Sequence, residues 1–271
     1  MLRLSLLLAS STTLTLTAIA QERPDLEGWR VTVGAGSLYA PTYEGDDDYA
    51  LSVLPNIQVR YADTFSASVQ NGLRYNIVNT DQLTIGPLAR VQFAREEDGD
   101  QPFAISGNET NDLVGLGDVD TTFELGGYLS YRTGPLELGI EARQGVNGHE
   151  GLVADLRASV RGRSFAFGPP IIWSAGPRLR LVDDSYNSAY FGVTQEQSIA
   201  SGLDQYNADG GIYSFGLGAT AIIPFDRSGK WSVVAIAGYD QLTGDIADAP
   251  LVVERGSEDQ FTLGVFLSRA F

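Results

Sequence analysis

His149 is the only histidine of the 271-residue chain and stands in Asn147-Gly148-His149-Glu150-Gly151. A lipid-modifying hydrolase or acyltransferase at a barrel rim, using a histidine base with a serine and an acid, would have to be built around it. The plainer reading is a polar residue in a glycine-rich turn, and no G-x-S-x-G elbow supplies a nucleophile. With no cysteine and one histidine, the chain lacks the ligand types of a transition-metal centre. Glu44-Gly45-Asp46-Asp47-Asp48, and Glu96-Glu97-Asp98 with Asp100, are hard-oxygen clusters that could collect Ca²⁺. Neither has EF-hand spacing, and acidic loops are ordinarily just solvated. Val114-Gly115-Leu116-Gly117 supplies two glycines of a phosphate-binding loop, but Asp120 occupies the third position. No catalytic, cofactor-binding or metal-ligating residue is assigned, and no enzyme activity is expected.

The remaining charges fall into a pattern set by the elements that carry them. In Leu136 to Arg143, Leu136, Leu138, Ile140 and Ala142 share one face, against Glu137, Glu141 and Arg143 on the other. In Leu152 to Val160, Leu152, Ala154, Leu156, Ala158 and Val160 oppose Asp155 and Arg157. Successive side chains of a strand point to opposite sides, so each segment reads as a strand with one greasy and one ionic face. Trp29 to Tyr39 and Tyr49 to Tyr61 add an aromatic at each end, about one membrane thickness apart. Aromatics at headgroup depth keep an apolar ring in lipid and a polar edge in water, so Trp29, Tyr39, Tyr49 and Tyr61 read as interfacial girdles.

Further segments of this kind are Phe65 to Ile77, Leu83 to Phe93, Val119 to Tyr131, Ile171 to Leu181, Gly211 to Phe225, Trp231 to Tyr239 and Phe261 to Phe271. Eleven are thus counted, whereas a bacterial barrel with both ends in the periplasm needs an even number. A twelfth strand is expected in Ala94 to Asp118 or in Tyr186 to Thr194. The expected fold is all-β, a closed antiparallel transmembrane β-barrel of twelve strands, with ten as the alternative, and acidic extracellular loops. Long connections, Ala94 to Asp118, Gln144 to Gly151, Val182 to Gly210 and Gln241 to Gln260, are expected outside. Arg132 to Pro135, Arg161 to Ser164 and Asp226 to Lys230 are expected as periplasmic turns. In so narrow a barrel, Arg60, Arg74, Arg90, Glu124, Glu141, Arg143, Asp155, Arg157, Arg178 and Arg180 are expected to meet across the lumen in ion pairs. Small inward residues such as Gly34, Gly36, Gly216 and Gly218 suit the same interior.

Residues 1–20 read as a signal peptide: Arg3, the apolar run from Leu4 to Leu8, and an Ala18-Ile19-Ala20 cleavage site. The barrel is expected over residues 21–271, in the cell outer membrane, with outer-membrane lipid as its surroundings. No later apolar run is long enough for a spanning helix. A formal charge of −16, with Lys230 as the only lysine, excludes a nucleic-acid partner. The last strand, apolar at Phe261, Leu263, Val265, Leu267 and Phe271, resembles the closing strand of outer-membrane barrels. That resemblance implies that Phe271 is the signal read by the barrel-assembly machinery, although Arg269 departs from its usual pattern.

Several phrases are similar to those of the MipA/OmpV outer-membrane family, typified by the MltA-interacting protein. They are Val33-Gly34-Ala35-Gly36, Pro41-Thr42-Tyr43-Glu44-Gly45-Asp46, Gly115-Leu116-Gly117-Asp118-Val119-Asp120, Tyr190-Phe191-Gly192-Val193-Thr194, Ser201-Gly202-Leu203, and the run from Gly244 to Val252. The resemblance implies an outer-membrane barrel serving as a non-enzymatic scaffold that links a lytic murein transglycosylase to a murein synthase in the periplasm. Small-solute channel, receptor or adhesin roles are the alternatives. No catalytic residues come with it, and oligomeric state is not fixed by the sequence.

Overall fold

The computed structural model describes residues 28–99, 103–107, 110–165, 170–226 and 228–271; the expected signal peptide and Asp100 lie outside the described residues. In chain order the strands are β1 (Trp29–Pro41), β2 (Tyr49–Tyr61), β3 (Phe65–Ser68), β4 (Gly72–Tyr75), β5 (Val78–Asn79), β6 (Leu83–Gln92), β7 (Ala104–Ser106), β8 (Thr122–Thr133), β9 (Leu136–Val146), β10 (Leu152–Ser164), β11 (Ile171–Val182), β12 (Gly211–Pro224), β13 (Trp231–Leu242) and β14 (Asp259–Ala270). Three short helices, α1 (Asp184–Phe191), α2 (Gln195–Ser201) and α3 (Pro250–Arg255), lie in loops. No helix among the described residues is long and apolar enough to cross a membrane.

Every strand pairing is antiparallel, and β1 pairs with both β2 and β14, which closes the sheet. Twelve strands make the wall. β5 continues β4 along the edge of β6, and β7 adds to the outer half of β2. Closure leaves no edge with unpaired backbone, the condition for strands to cross hydrocarbon. The chain reverses through long loops at one end and short turns at the other, which orients the barrel with the long loops outside.

The parity resolves in a place other than those expected. Phe65 to Ile77 is a hairpin of two four-residue strands, not one strand, and the Asn71-Gly72 pair in its turn is the local signal for it. Gly72 takes a positive φ of 66° there, a conformation that costs glycine least. Tyr186 to Thr194 is mostly helix α1, and 94–118 contributes only the three-residue β7. The hairpin pairs with β2 only at residues 58–61, so the wall above it is completed by β7. Arg161 to Ser164, expected as a turn, is the end of β10.

Val53, Val265, Leu263 and Leu267 lie exposed on the outer face, around half of each residue's surface being free. Trp29 stands opposite Tyr61 in the β1–β2 register with ring centroids 4.8 Å apart, and at the other end Tyr39 stacks on Tyr49 at 5.0 Å. Arg269 shares the outward face, its guanidinium 5.5 Å from the Trp231 ring and 4.7 Å from Phe271. A cation held on aromatic faces at interfacial depth is favourable, which accommodates the residue that departs from the usual terminal pattern. Phe266 alternates onto the inward face and is buried, its ring lying over Gly36 and Gly264.

Candidate functional site

The lumen is crossed by one ionic network carried on the inward positions of β4 through β11. Arg143 is at its centre: its Nε donates to Glu124 at 2.8 Å and its Nη1 to Asp155 at 2.7 Å. Glu141 accepts from Arg74 at 2.5 Å, Arg157 at 2.9 Å and Arg90 at 3.3 Å, and lies 3.6 Å from Arg143. Asp155 also accepts from Arg180 at 2.9 Å, and Arg180 reaches Glu44 of the first outer loop at 3.2 Å. Glu44 in turn accepts from the hydroxyls of Tyr186 and Tyr213 at 2.9 and 2.6 Å. Nine of the ten charges expected in the lumen are therefore placed in ion pairs, eight in this network and Arg178 separately with Asp240. Arg60 makes no ion pair among the described residues; it stands opposite Arg30 in the β1–β2 register.

Alternation places Asp240 and Glu137 on inward faces, but Glu44, Tyr186 and Tyr213 had no such signal. Glu44 belongs to an acidic loop that folds back into the barrel mouth, which only tertiary contacts reveal. Its neighbour Asp46 is fully buried, accepting from Thr42 and from the Asp48 amide. Burial pushes the Asp46 carboxyl upward, opposed by those two hydrogen bonds. Among the described residues no three histidines or carboxylates converge on a point where a cation could sit.

The outer mouth is covered by packed loop side chains. Tyr43 from the first loop, Leu113 and Leu116 from the third, Phe191 and Leu203 from the segment between β11 and β12, and Leu251 and Val252 from the last loop form one buried apolar cluster with Val153, Val182 and Leu242 of the strand ends. Arg255 fastens it, donating to the Asp112 carbonyl at 2.7 Å and the Ser201 carbonyl at 2.5 Å. Arg95 does the same from the other side, reaching the Tyr190 carbonyl at 2.5 Å. Burial holds the Tyr186 and Tyr190 hydroxyls well above the usual phenol range, so both keep their protons; Tyr186 donates to Glu44 and Tyr190 accepts from the Gln92 amide at 3.1 Å. Gly115 and Gly117, with φ of 86° and 75°, aim their N–H groups at Glu97, each at 3.1 Å. The glycine pair that resembles a phosphate loop thus cradles a carboxylate of its own chain.

His149 lies beneath this seal, 2 % exposed, with the Tyr186 ring 4.8 Å away. Its Nδ1 accepts the Gly151 amide at 3.0 Å, so the ring proton sits on Nε2, which faces Glu124 at 3.4 Å. The tight turn that buries it uses positive φ at Asn147, Gly148 and Glu150. Among the described residues no serine hydroxyl bonds the ring. It packs among the tyrosines of the outer mouth.

Below the seal the lumen holds two cavities, about 550 Å³ on the outer side and about 770 Å³ opening toward the short turns, with Arg157 and Arg178 lining both. The ion pairs of the network thus lie between an outer and an inner cavity of the lumen.

Residues 33–271 match the family profile described as MltA-interacting protein MipA. The chain belongs to the MipA family. It is an outer-membrane β-barrel, and the closed wall with its lipid-facing apolar exterior is the physical counterpart of that membership. Among solved structures it is similar to an outer-membrane channel from Pseudomonas putida F1, at 14% identity and a TM-score of 0.44, covering 91% of this chain and 96% of that one. It is also similar to the NanC porin (11%, TM-score 0.35, 89% and 99%) and to Pseudomonas putida OprB (10%, TM-score 0.38, 81% and 59%). At these scores none of the three bears on what this MipA-family barrel does. No curated protein sequence matches it.

Proposed function

We propose that this MipA-family barrel is a non-enzymatic outer-membrane scaffold, exported with cleavage of residues 1–20, that presents its open end to periplasmic murein enzymes, a transglycosylase and a synthase. The observation that carries the reading is the apolar seal of the outer mouth, fastened by Arg255 and Arg95. A packed core of loop side chains lies across the path a solute would take through the outer mouth. A rim enzyme is disfavoured by the burial of His149.

The test pairs two measurements on the purified protein. In planar bilayers the wild type is expected to be electrically silent, while a variant lacking residues 244–256 conducts. On an affinity column the wild type is expected to retain a lytic transglycosylase from a periplasmic extract. Reproducible current steps from the wild type, with no enzyme retained, would overturn the scaffold reading in favour of a small-solute channel.

A further inference from the structure

The chain carries a formal charge of −16, and among the described residues 20 of its 34 carboxylates lie in the outer loops, with only Arg95 and Arg255 beside them. The inner cavity has the opposite character. Arg60, Arg74, Arg132, Arg157, Arg161 and Arg178 line it, with Asp63 and Glu137 as its only acidic lining residues among those described. Glu137 accepts from both Arg132 at 2.9 Å and Arg161 at 2.8 Å, and Glu141, deeper in the lumen, is shared by Arg74, Arg90, Arg143 and Arg157. The carboxylates are the buried partners: the Glu137 and Glu141 side chains are 6 % and 3 % exposed, whereas those of Arg132, Arg157, Arg161 and Arg178 are 36 to 49 % exposed. The surface that meets solvent is therefore guanidinium, in a cup whose protein walls concentrate the field.

One detail points beyond the chain itself. Arg30 and Arg60 are directly opposite each other on β1 and β2, and neither is in an ion pair among the described residues. Like charges opposed across a ladder are destabilising. A balancing anion from outside removes that cost. The rest of the lining mixes hydroxyls and amides, such as Ser66, Asn71, Ser159 and Thr220, with small apolar residues and Phe65 and Ile236.

We propose that the inner cavity is a binding site for a small, hydroxyl-bearing periplasmic solute with two or more negative oxyanion charges, held by Arg60, Arg132 and Arg161. Planar guanidiniums in a fixed fork suit carboxylate or phosphate oxygens, and a cavity of about 770 Å³ fits a solute of sugar-acid or sugar-phosphate size. Anion binding is read on the purified barrel alone, so its failure is distinguishable from failure of the scaffold reading, whose readout is enzyme retention.

The test is calorimetric titration of the full barrel in neutral detergent with citrate and with glucose 6-phosphate, using glucose and spermidine as controls. Saturable binding of at least one anion is expected, weakened at least tenfold in R60Q/R161Q and again between 50 and 500 mM salt, with R60K retaining most of the affinity. Binding of citrate alone identifies a carboxylate site, and binding of glucose 6-phosphate alone a phosphate site. Heat-modifiable migration on a gel establishes that the variants are folded. The proposal is overturned if neither anion binds, if glucose binds as well as its phosphate, or if the folded double variant binds like the wild type.

Discussion

Replacing Glu141 by Gln removes the shared acceptor of the lumen while leaving its donors in place. The side chain is 3 % exposed and is contacted by Arg74, Arg90 and Arg157, with Arg143 at 3.6 Å. Breaking a buried pair by deleting one partner costs about 3–5 kcal/mol, because the other charge is left without compensation. Arg157 is 42 % exposed and recovers water, so a loss of about 3 kcal/mol is the working figure. Asp240→Asn is the internal control. Its single partner Arg178 is 39 % exposed and Asp240 itself 26 %, a pair worth about 0.5–1 kcal/mol. The two variants should thus differ by about 2 kcal/mol, roughly thirtyfold in the ratio of folded to unfolded barrel. The assay is urea unfolding in phospholipid vesicles, scored by the gel mobility of the folded band. Equal midpoints for E141Q and D240N would refute the idea that one carboxylate holds the lumen network together.

Arg255→Ala removes two charge-assisted hydrogen bonds to carbonyls, at about 1.5–3 kcal/mol each, and should loosen the outer seal enough to give flickering conductance in planar bilayers without unfolding the wall. Asp46→Asn mimics the protonated form of a carboxyl whose folded-state affinity for protons is raised by burial. The raised shift makes the contribution of Asp46 greatest at low pH and lost as pH rises through its folded value, so D46N should melt higher than wild type at pH 7 and lose that advantage near pH 3. Spin labels at Val53 and Val265, both exposed on the outer face, should be relaxed by oxygen in the bilayer and not by aqueous nickel reagents, and the reverse result would place those faces away from lipid.

The alternation of side chains was enough to sort lipid-facing from lumen-facing positions, because a strand offers only two sides and a charge in hydrocarbon is expensive. Trp29, Tyr39, Tyr49 and Tyr61 were expected as girdles from their one-dimensional spacing, and the structure pairs Trp29 with Tyr61 and stacks Tyr39 on Tyr49 at opposite ends of β1 and β2. Strand number was less legible. The Asn71-Gly72 turn lies inside a run that otherwise alternates smoothly, and a hairpin of two four-residue strands leaves the same polar and apolar pattern as one longer strand.

What the tertiary structure alone decided is who meets whom. Arg143 finds Glu124 and Asp155 on neighbouring strands, while Arg74 finds Glu141 across distant sequence, and only strand register and barrel closure fix such partners. Glu44, which reads as one of several solvated acids, becomes the link between loop and lumen, and His149, which reads as a surface turn residue, is buried. Both outcomes depend on loops folding inward over the mouth, a choice made by the apolar side chains that those loops bury together and not by any local pattern.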